Sequence, residues 1–251
     1  MYTARLIKRG VTAYPLPQLR QSHEVMKSCY LCGGILVIPT KEHIIAKSIF
    51  CPNSLDNPLI LKACYKHNQE KRRDDEYSSL LVQATSETKD SAIAFEKSLS
   101  IMNKISTENR NTPGIGLIMG MKKNVRDLPY IKQNGILRKF NGGQLDIDSP
   151  RFINFFTNIA KGLLVISTEK IYNWQNFKFN VIFDHTDFAQ IQNTMQPAFE
   201  YIVKNRQFAE KWEDVLFLAG INTLSPEGKT GSLFAISIFS SHLAIISIKE
   251  K

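Results

Sequence analysis

The 251-residue chain is 43% hydrophobic and 22% charged, which suits a buried core and excludes a disordered or fibrous polypeptide. Lys and Arg total 32 against 23 Asp and Glu, and the resulting +9 favours an acidic partner, nucleic acid being the commonest. No apolar run reaches the roughly 18 residues of a membrane span, and the opening MYTARLIKRGVTAYPLPQLRQ lacks the apolar stretch of a secretory leader. No membrane partner is therefore expected, and the cytoplasm is the expected compartment.

Residues 1–28 set Arg5, Lys8, Arg9, Arg20 and Lys27 against one acid, Glu24, and read as a basic arm broken by Pro15 and Pro17. Cys29-x-x-Cys32 follows, with Gly33-Gly34 directly behind it. Glycine there lets the backbone turn tightly beneath two sulfurs, as in a zinc knuckle. ILVIPT (35–40) is expected as a first short strand, KEHIIAKSIF (41–50) as a second running into a loop, and NQEKRRDDEYSSLLVQA (68–84) as a helix.

Cys64-x-x-His67 returns a second ligand pair after 31 intervening residues. Four N/S donors supplied by two paired turns suit tetrahedral zinc, so Cys29, Cys32, Cys64 and His67 are the expected structural ligands. Cys51 is an alternative donor but has no paired spacing. A C-x-x-C alone would also serve thiol redox chemistry, yet no βαβ pattern surrounds this one.

Glu42-His43 lies between the two pairs, with Asn57 in LDNPLIL and Asn68 in CYKHNQEK beyond it. At this point the chain resembles the HNH, or ββα-metal, endonucleases, many of which carry such a zinc-stapled core. The resemblance covers residues 29–83 and implies a treble-clef ββα-metal module. It implies that His43 is the base that deprotonates the attacking water and that Asn57 orients it. Glu42 and Asn68 would hold a catalytic Mg²⁺ or Mn²⁺, and Lys71 and Arg72 would meet nucleic-acid phosphate. The chain departs from the family pattern at His67, where Cys is usual, at Glu42, where Asp is frequent, and at Ala46, where Pro is common.

Beyond the module, residues 84–251 are expected to form an α+β body that oligomerises or binds a partner protein or DNA. Polar helices reach Ile105, and short strands with NGI and NGG turns follow in a region basic at Lys122, Lys123, Arg126, Lys132, Arg138 and Lys139. SPRFINFFTNIAKGLLVIS has apolar residues at helical spacing. FKFNVIF reads as a strand, and DFAQIQNTMQPAFEYIVKN as a helix interrupted at Pro197. DVLFLAGIN, GSLFAISIF and HLAIISI read as an antiparallel meander.

The expected fold class is thus α+β, a treble-clef HNH module on a helix and antiparallel-sheet body. The resemblance implies metal-dependent cleavage of DNA, with RNA also open, by a nuclease effector of prokaryotic anti-phage defence. A partner subunit or self-assembly belongs to the same expectation. The rival is a catalytically inactive, zinc-stabilised nucleic-acid-binding or adaptor subunit.

Overall fold

The structure is a computed structural model that describes residues 27–50, 59–85, 126–127, 131–133, 136–138, 143–144, 149–183, 195–212, 216–224, 229–238 and 242–251. Asn57, Cys51 and nearly all of the basic N-terminal arm lie outside the described residues. In the basic stretch 121–148 only four short strand backbones are described, so its charged side chains lie outside as well.

Residues 27–36 turn tightly on themselves. Cys29 N–H donates to the Gly34 carbonyl at 2.8 Å, Gly33 N–H to the Cys29 carbonyl at 2.7 Å, and Leu36 N–H to the Lys27 carbonyl at 2.9 Å. Gly33 adopts φ +77°, and a Cβ there would lie 2.6 Å from the Tyr172 carbonyl oxygen, so only glycine fits the turn.

Strand β1 (Pro39–His43) then pairs antiparallel with β2 (Ile60–Cys64), setting Pro39 opposite Cys64 and His43 opposite Ile60. This corrects the sequence-based hairpin. Of ILVIPT only Pro39 and Thr40 enter this ladder, with Ile35 in an isolated bridge to Ser28, and the strand spans the join between the two expected ones. Ile35, Val37 and Ile38 are 86%, 93% and 73% exposed, so their β propensity has no surface to bury against. LILKAC supplies the partner instead, because Leu61 and Ala63 bury one face of β2.

Helix α1 (Tyr65–Thr85) leaves β2 directly and lays its second half, Tyr77, Leu80, Leu81 and Val82, into the interior. Helix α2 (Ser149–Thr168) packs against it and buries Phe152, Phe155, Phe156, Ile159, Leu163 and Ile166, the stripe anticipated from spacing.

Four short strands, β3 (Arg126–Asp127), β4 (Ile131–Gln133), β5 (Ile136–Arg138) and β6 (Gly143–Gln144), form two antiparallel pairs, β3 with β6 and β4 with β5. The large sheet is antiparallel in the order β7-β11-β10-β9-β8. It comprises β7 (Phe177–Phe183), β8 (Phe208–Trp212), β9 (Leu216–Leu224), β10 (Thr230–Ile238) and β11 (His242–Glu250). β9, β10 and β11 are the expected meander, whereas β8 has no counterpart in the sequence reading.

Strand alternation divides the sheet between two cores. Phe234, Ile236 and Ile238 of β10 and Ala244, Ile246 and Ile248 of β11 face the core shared with α2 and the N-terminal hairpin. Ala235, Leu243 and Ile245 face the opposite side, under helix α3 (Gln196–Asn205). Pro197 sits in the first turn of α3, where its missing N–H costs no helical bond; residues 187–194 of the expected helix lie outside the described residues. The fold class is α+β, helices packed on antiparallel sheet.

The hairpin reaches the body through one close approach. A Cβ on Gly162 of α2 would lie 2.7 Å from both Cγ1 and Cγ2 of the fully buried Ile44. Gly162→Val is expected to overpack this contact and destabilise the protein by about 1–3 kcal/mol in urea unfolding. Ile44→Ala, which removes both γ carbons, should cost less stability in the Gly162→Val background than in wild type; strictly additive losses would contradict the packing described.

Candidate metal centre and the Glu42–His43 seam

Cys29 and Cys32 come from the tight turn, Cys64 from the end of β2 and His67 from the first turn of α1. Pairing Pro39 with Cys64 sets the β2 end beside the turn, because Tyr30 N–H also donates to the Lys62 carbonyl at 3.0 Å. The ligand atoms of all four residues lie within 4.8 Å of one another. Cys64 Sγ and His67 Nδ1 are 2.8 Å apart. Zinc–sulfur bonds of about 2.3 Å put tetrahedral sulfurs roughly 3.8 Å apart, so the cluster is close enough to hold a metal ion. Three thiols and one imidazole are a donor set compatible with structural zinc.

Two neighbours of this cluster carry no motif in the sequence. Trp174 Nε1 donates to the Tyr30 carbonyl at 2.7 Å, a bond spanning 144 residues. Lys161 of α2 lies over the Trp174 and Phe179 rings, 5.7 and 5.6 Å from their centroids. Burial pushes its ammonium below the ordinary lysine range, and negative charge at Cys29 and Cys32 opposes that shift. Helical spacing marks Lys161 as a polar break in an apolar stripe, but nothing in the chain joins it to cysteines far upstream.

The second cluster occupies the seam between β1 and α1. Alternation along β1 turns Thr40 and Glu42 toward the helix, and Asn68, Lys71 and Asp75 face them at helical spacing. Thr40 Oγ1 donates to the Ala63 carbonyl at 2.8 Å and accepts from Asn68 Nδ2 at 3.0 Å. Glu42 Oε1 accepts from Lys71 Nζ at 3.0 Å, and the His43 carbonyl accepts from the same ammonium at 2.9 Å. Asp75 Oδ2 takes the third bond at 2.5 Å. Lys71 is only 1% exposed, with Glu42 at 9% and Asp75 at 6%.

Lys71 is therefore an enclosed ammonium with all three N–H donors engaged, and this geometry replaces the expected phosphate contact. Arg72 is exposed and pairs with Glu76 at 2.8 Å. The i,i+4 spacing of Lys71 and Asp75 was readable as an ion pair, but its burial was not.

Tyr30 completes the cluster. Its phenol is fully buried without a hydrogen-bonding partner among the described residues, as is Asp75 Oδ1. Burial, then the negative charges of Glu42, Asp75 and Cys29, raise the Tyr30 phenol well above its ordinary value. Burial likewise raises the Asp75 carboxyl to about 7, against the pull of Lys71.

His43 ends β1, half-buried. Its imidazole is lowered from the ordinary value by burial first, then by Lys47 and Lys71, which keeps the ring neutral at neutral pH. A neutral imidazole can accept a proton. The short 3-10 turn after it, Lys47–Ile49, is held down where Ser48 Oγ donates to Ser79 Oγ at 2.8 Å and Gln83 Nε2 donates to the Ser48 carbonyl.

No family model matches the chain, and no curated protein or solved structure matches it. No helix among the described residues is long and apolar enough to cross a membrane.

Purified protein is expected to carry one zinc ion, lost in Cys64→Ser together with several kcal/mol of stability. The loss should stay below the ~10–16 kcal/mol of isolated zinc-finger peptides, because Tyr30 and Leu31 also pack into the core. In a Trp212→Phe background, chelation should shift Trp174 emission through its bond to Tyr30. Unchanged emission after zinc removal would mean that the turn does not depend on the metal.

Proposed function

We propose that the protein is a metal-dependent HNH-type endonuclease that hydrolyses DNA phosphodiester bonds. Its treble-clef ββα-metal module would comprise the Cys29–Cys32 turn, β1, β2 and α1, stapled by zinc on Cys29, Cys32, Cys64 and His67. The observation that carries this reading is the seam, where Lys71 of α1 bonds both Glu42 and His43 at the end of β1 and Asn68 bonds Thr40 of the same strand, with a metal-type cluster at the other end of the hairpin.

In this reading neutral His43 takes a proton from the attacking water as the water oxygen forms its bond to phosphorus. The bond to the leaving oxygen breaks, and that oxygen is protonated from solvent. Glu42 and Asn68 offer a carboxylate and an amide oxygen, hard donors suited to Mg²⁺ or Mn²⁺. When bound, such a cation supplies charge stabilisation at the leaving oxygen. Asn68 fits that duty because its Nδ2 is engaged by Thr40, which orients the side chain. Asn57 would orient His43, and Arg72, exposed on α1, remains a candidate phosphate contact. The net charge of +9 suits a nucleic-acid substrate.

A role as a cytoplasmic effector of prokaryotic defence, acting with a partner subunit or as an oligomer, rests on the family resemblance. One observation favours the rival reading of an inactive binding subunit. Glu42 already has a cationic partner, Lys71, at 3.0 Å.

The two readings separate on plasmid DNA incubated with zinc-loaded protein and Mg²⁺ or Mn²⁺. Cutting is expected to require the added cation and to slow by about 10²–10⁴-fold in His43→Ala. Cleavage that persists in His43→Ala, or without added cation, would sink the mechanism. DNA binding without cutting by any preparation would favour the inactive subunit.

A further inference from the structure

Lys71 brings one ammonium into a space shared with two carboxyl groups, those of Glu42 and Asp75. An ammonium has three N–H donors, and here each finds one acceptor: the Glu42 carboxylate, the His43 carbonyl and the Asp75 carboxylate. The first two belong to the consecutive residues that carry the proposed chemistry. The third is on the helix that carries Asn68. Its bond to Glu42 goes to Oε1 alone.

We propose that Lys71, anchored by Asp75, is the positioning residue of the Glu42–His43 site. Through one ammonium it aims the Glu42 carboxylate and fixes the β1 backbone at His43 against α1. This rests on the nuclease reading above and names the residue that holds that site in register.

Three features of the seam support it. A lysine offered only to DNA would extend into solvent, whereas Lys71 is 1% exposed. Its two strand acceptors belong to adjacent residues, so one ammonium ties together the Glu42 carboxylate and the backbone at His43. Lys71 bonds the Glu42 carboxylate through one oxygen, Oε1, so it holds the group by a single contact.

The test uses zinc-loaded full-length protein and Mn²⁺ binding followed by electron paramagnetic resonance, beside DNA cleavage. The variants are Glu42→Ala and the charge-neutral pair Lys71→Met with Asp75→Asn. Loss of an outer partner of a metal ligand typically costs about 10–100-fold in metal affinity or activity. The paired variant is accordingly expected to retain zinc, bind Mn²⁺ about 10–100-fold more weakly and lose kcat with KM for DNA unchanged. A purely structural lysine would alter the melting temperature and leave Mn²⁺ affinity alone.

Mn²⁺ affinity equal to wild type in the folded paired variant would overturn the positioning role and leave the nuclease reading standing. Wild-type protein that binds no Mn²⁺ would overturn both. Should the paired variant fail to fold, Asp75→Asn alone keeps the shape and decides the matter. A loss of about tenfold, the lower end of that range, supports the proposal, and wild-type affinity overturns it.

Discussion

A lysine ammonium taken out of water is costly unless every N–H finds an acceptor and its charge an opposite one. Lys71 meets both conditions with groups from two elements, so the hairpin and helix α1 cannot separate without stranding the ammonium. This constraint fixes the register of the seam. Glu42 must face the helix because Lys71 demands a carboxylate there, and strand alternation then turns His43 to the other face. The metal-type cluster holds the opposite end of the same hairpin, where Cys64 leaves β2 and the chain enters α1. Two polar anchors, one at each end of β1 and β2, thus hold a hairpin too short to be stable alone.

The apolar core does the complementary work. Ile44 follows His43 directly and seats against Gly162, so α2 supports the seam from behind while its phenylalanines reach the large sheet. Phe152 packs edge-on against both Phe156 and Phe183, each with its centroid 5.0 Å away, which joins α2 to β7. Trp174 continues the contact to Tyr30 in the cysteine turn. One core therefore runs from the cysteine turn to β11, and the N-terminal hairpin has no separate interior of its own.

What could be read from the chain follows the range of each signal. The phenylalanine stripe of α2, the meander and the paired cysteine spacings are local patterns, and each appears where its period or spacing put it. Signals that depend on distant partners were misread. ILVIPT has strand composition, but Ile35, Val37 and Ile38 meet solvent, and the ladder forms between its last two residues with KEH and the more distant LILKAC. Pro197 reads as a breaker in any helical run, and only the start of α3 reveals its first-turn position. The family resemblance assigned Lys71 a phosphate contact together with Arg72. Burial depends on Glu42, which lies 29 residues away in the chain.

That misreading bears on how charge serves this protein. The excess of +9 is a property of the whole chain, whereas the candidate site sets two carboxyl groups around one buried ammonium. In the nuclease reading, a long-range positive field would gather a polyanion toward the surface, while a carboxylate site would hold a cation. The two requirements conflict if the same lysine must serve both. Burying Lys71 resolves the conflict, since an ammonium already bonded to three acceptors has no N–H left for a phosphate. The exposed Arg72 is free of that duty. The division of labour along one turn of helix, inward lysine for register and outward arginine for surface charge, accounts for adjacent cations that composition alone would treat as equivalent.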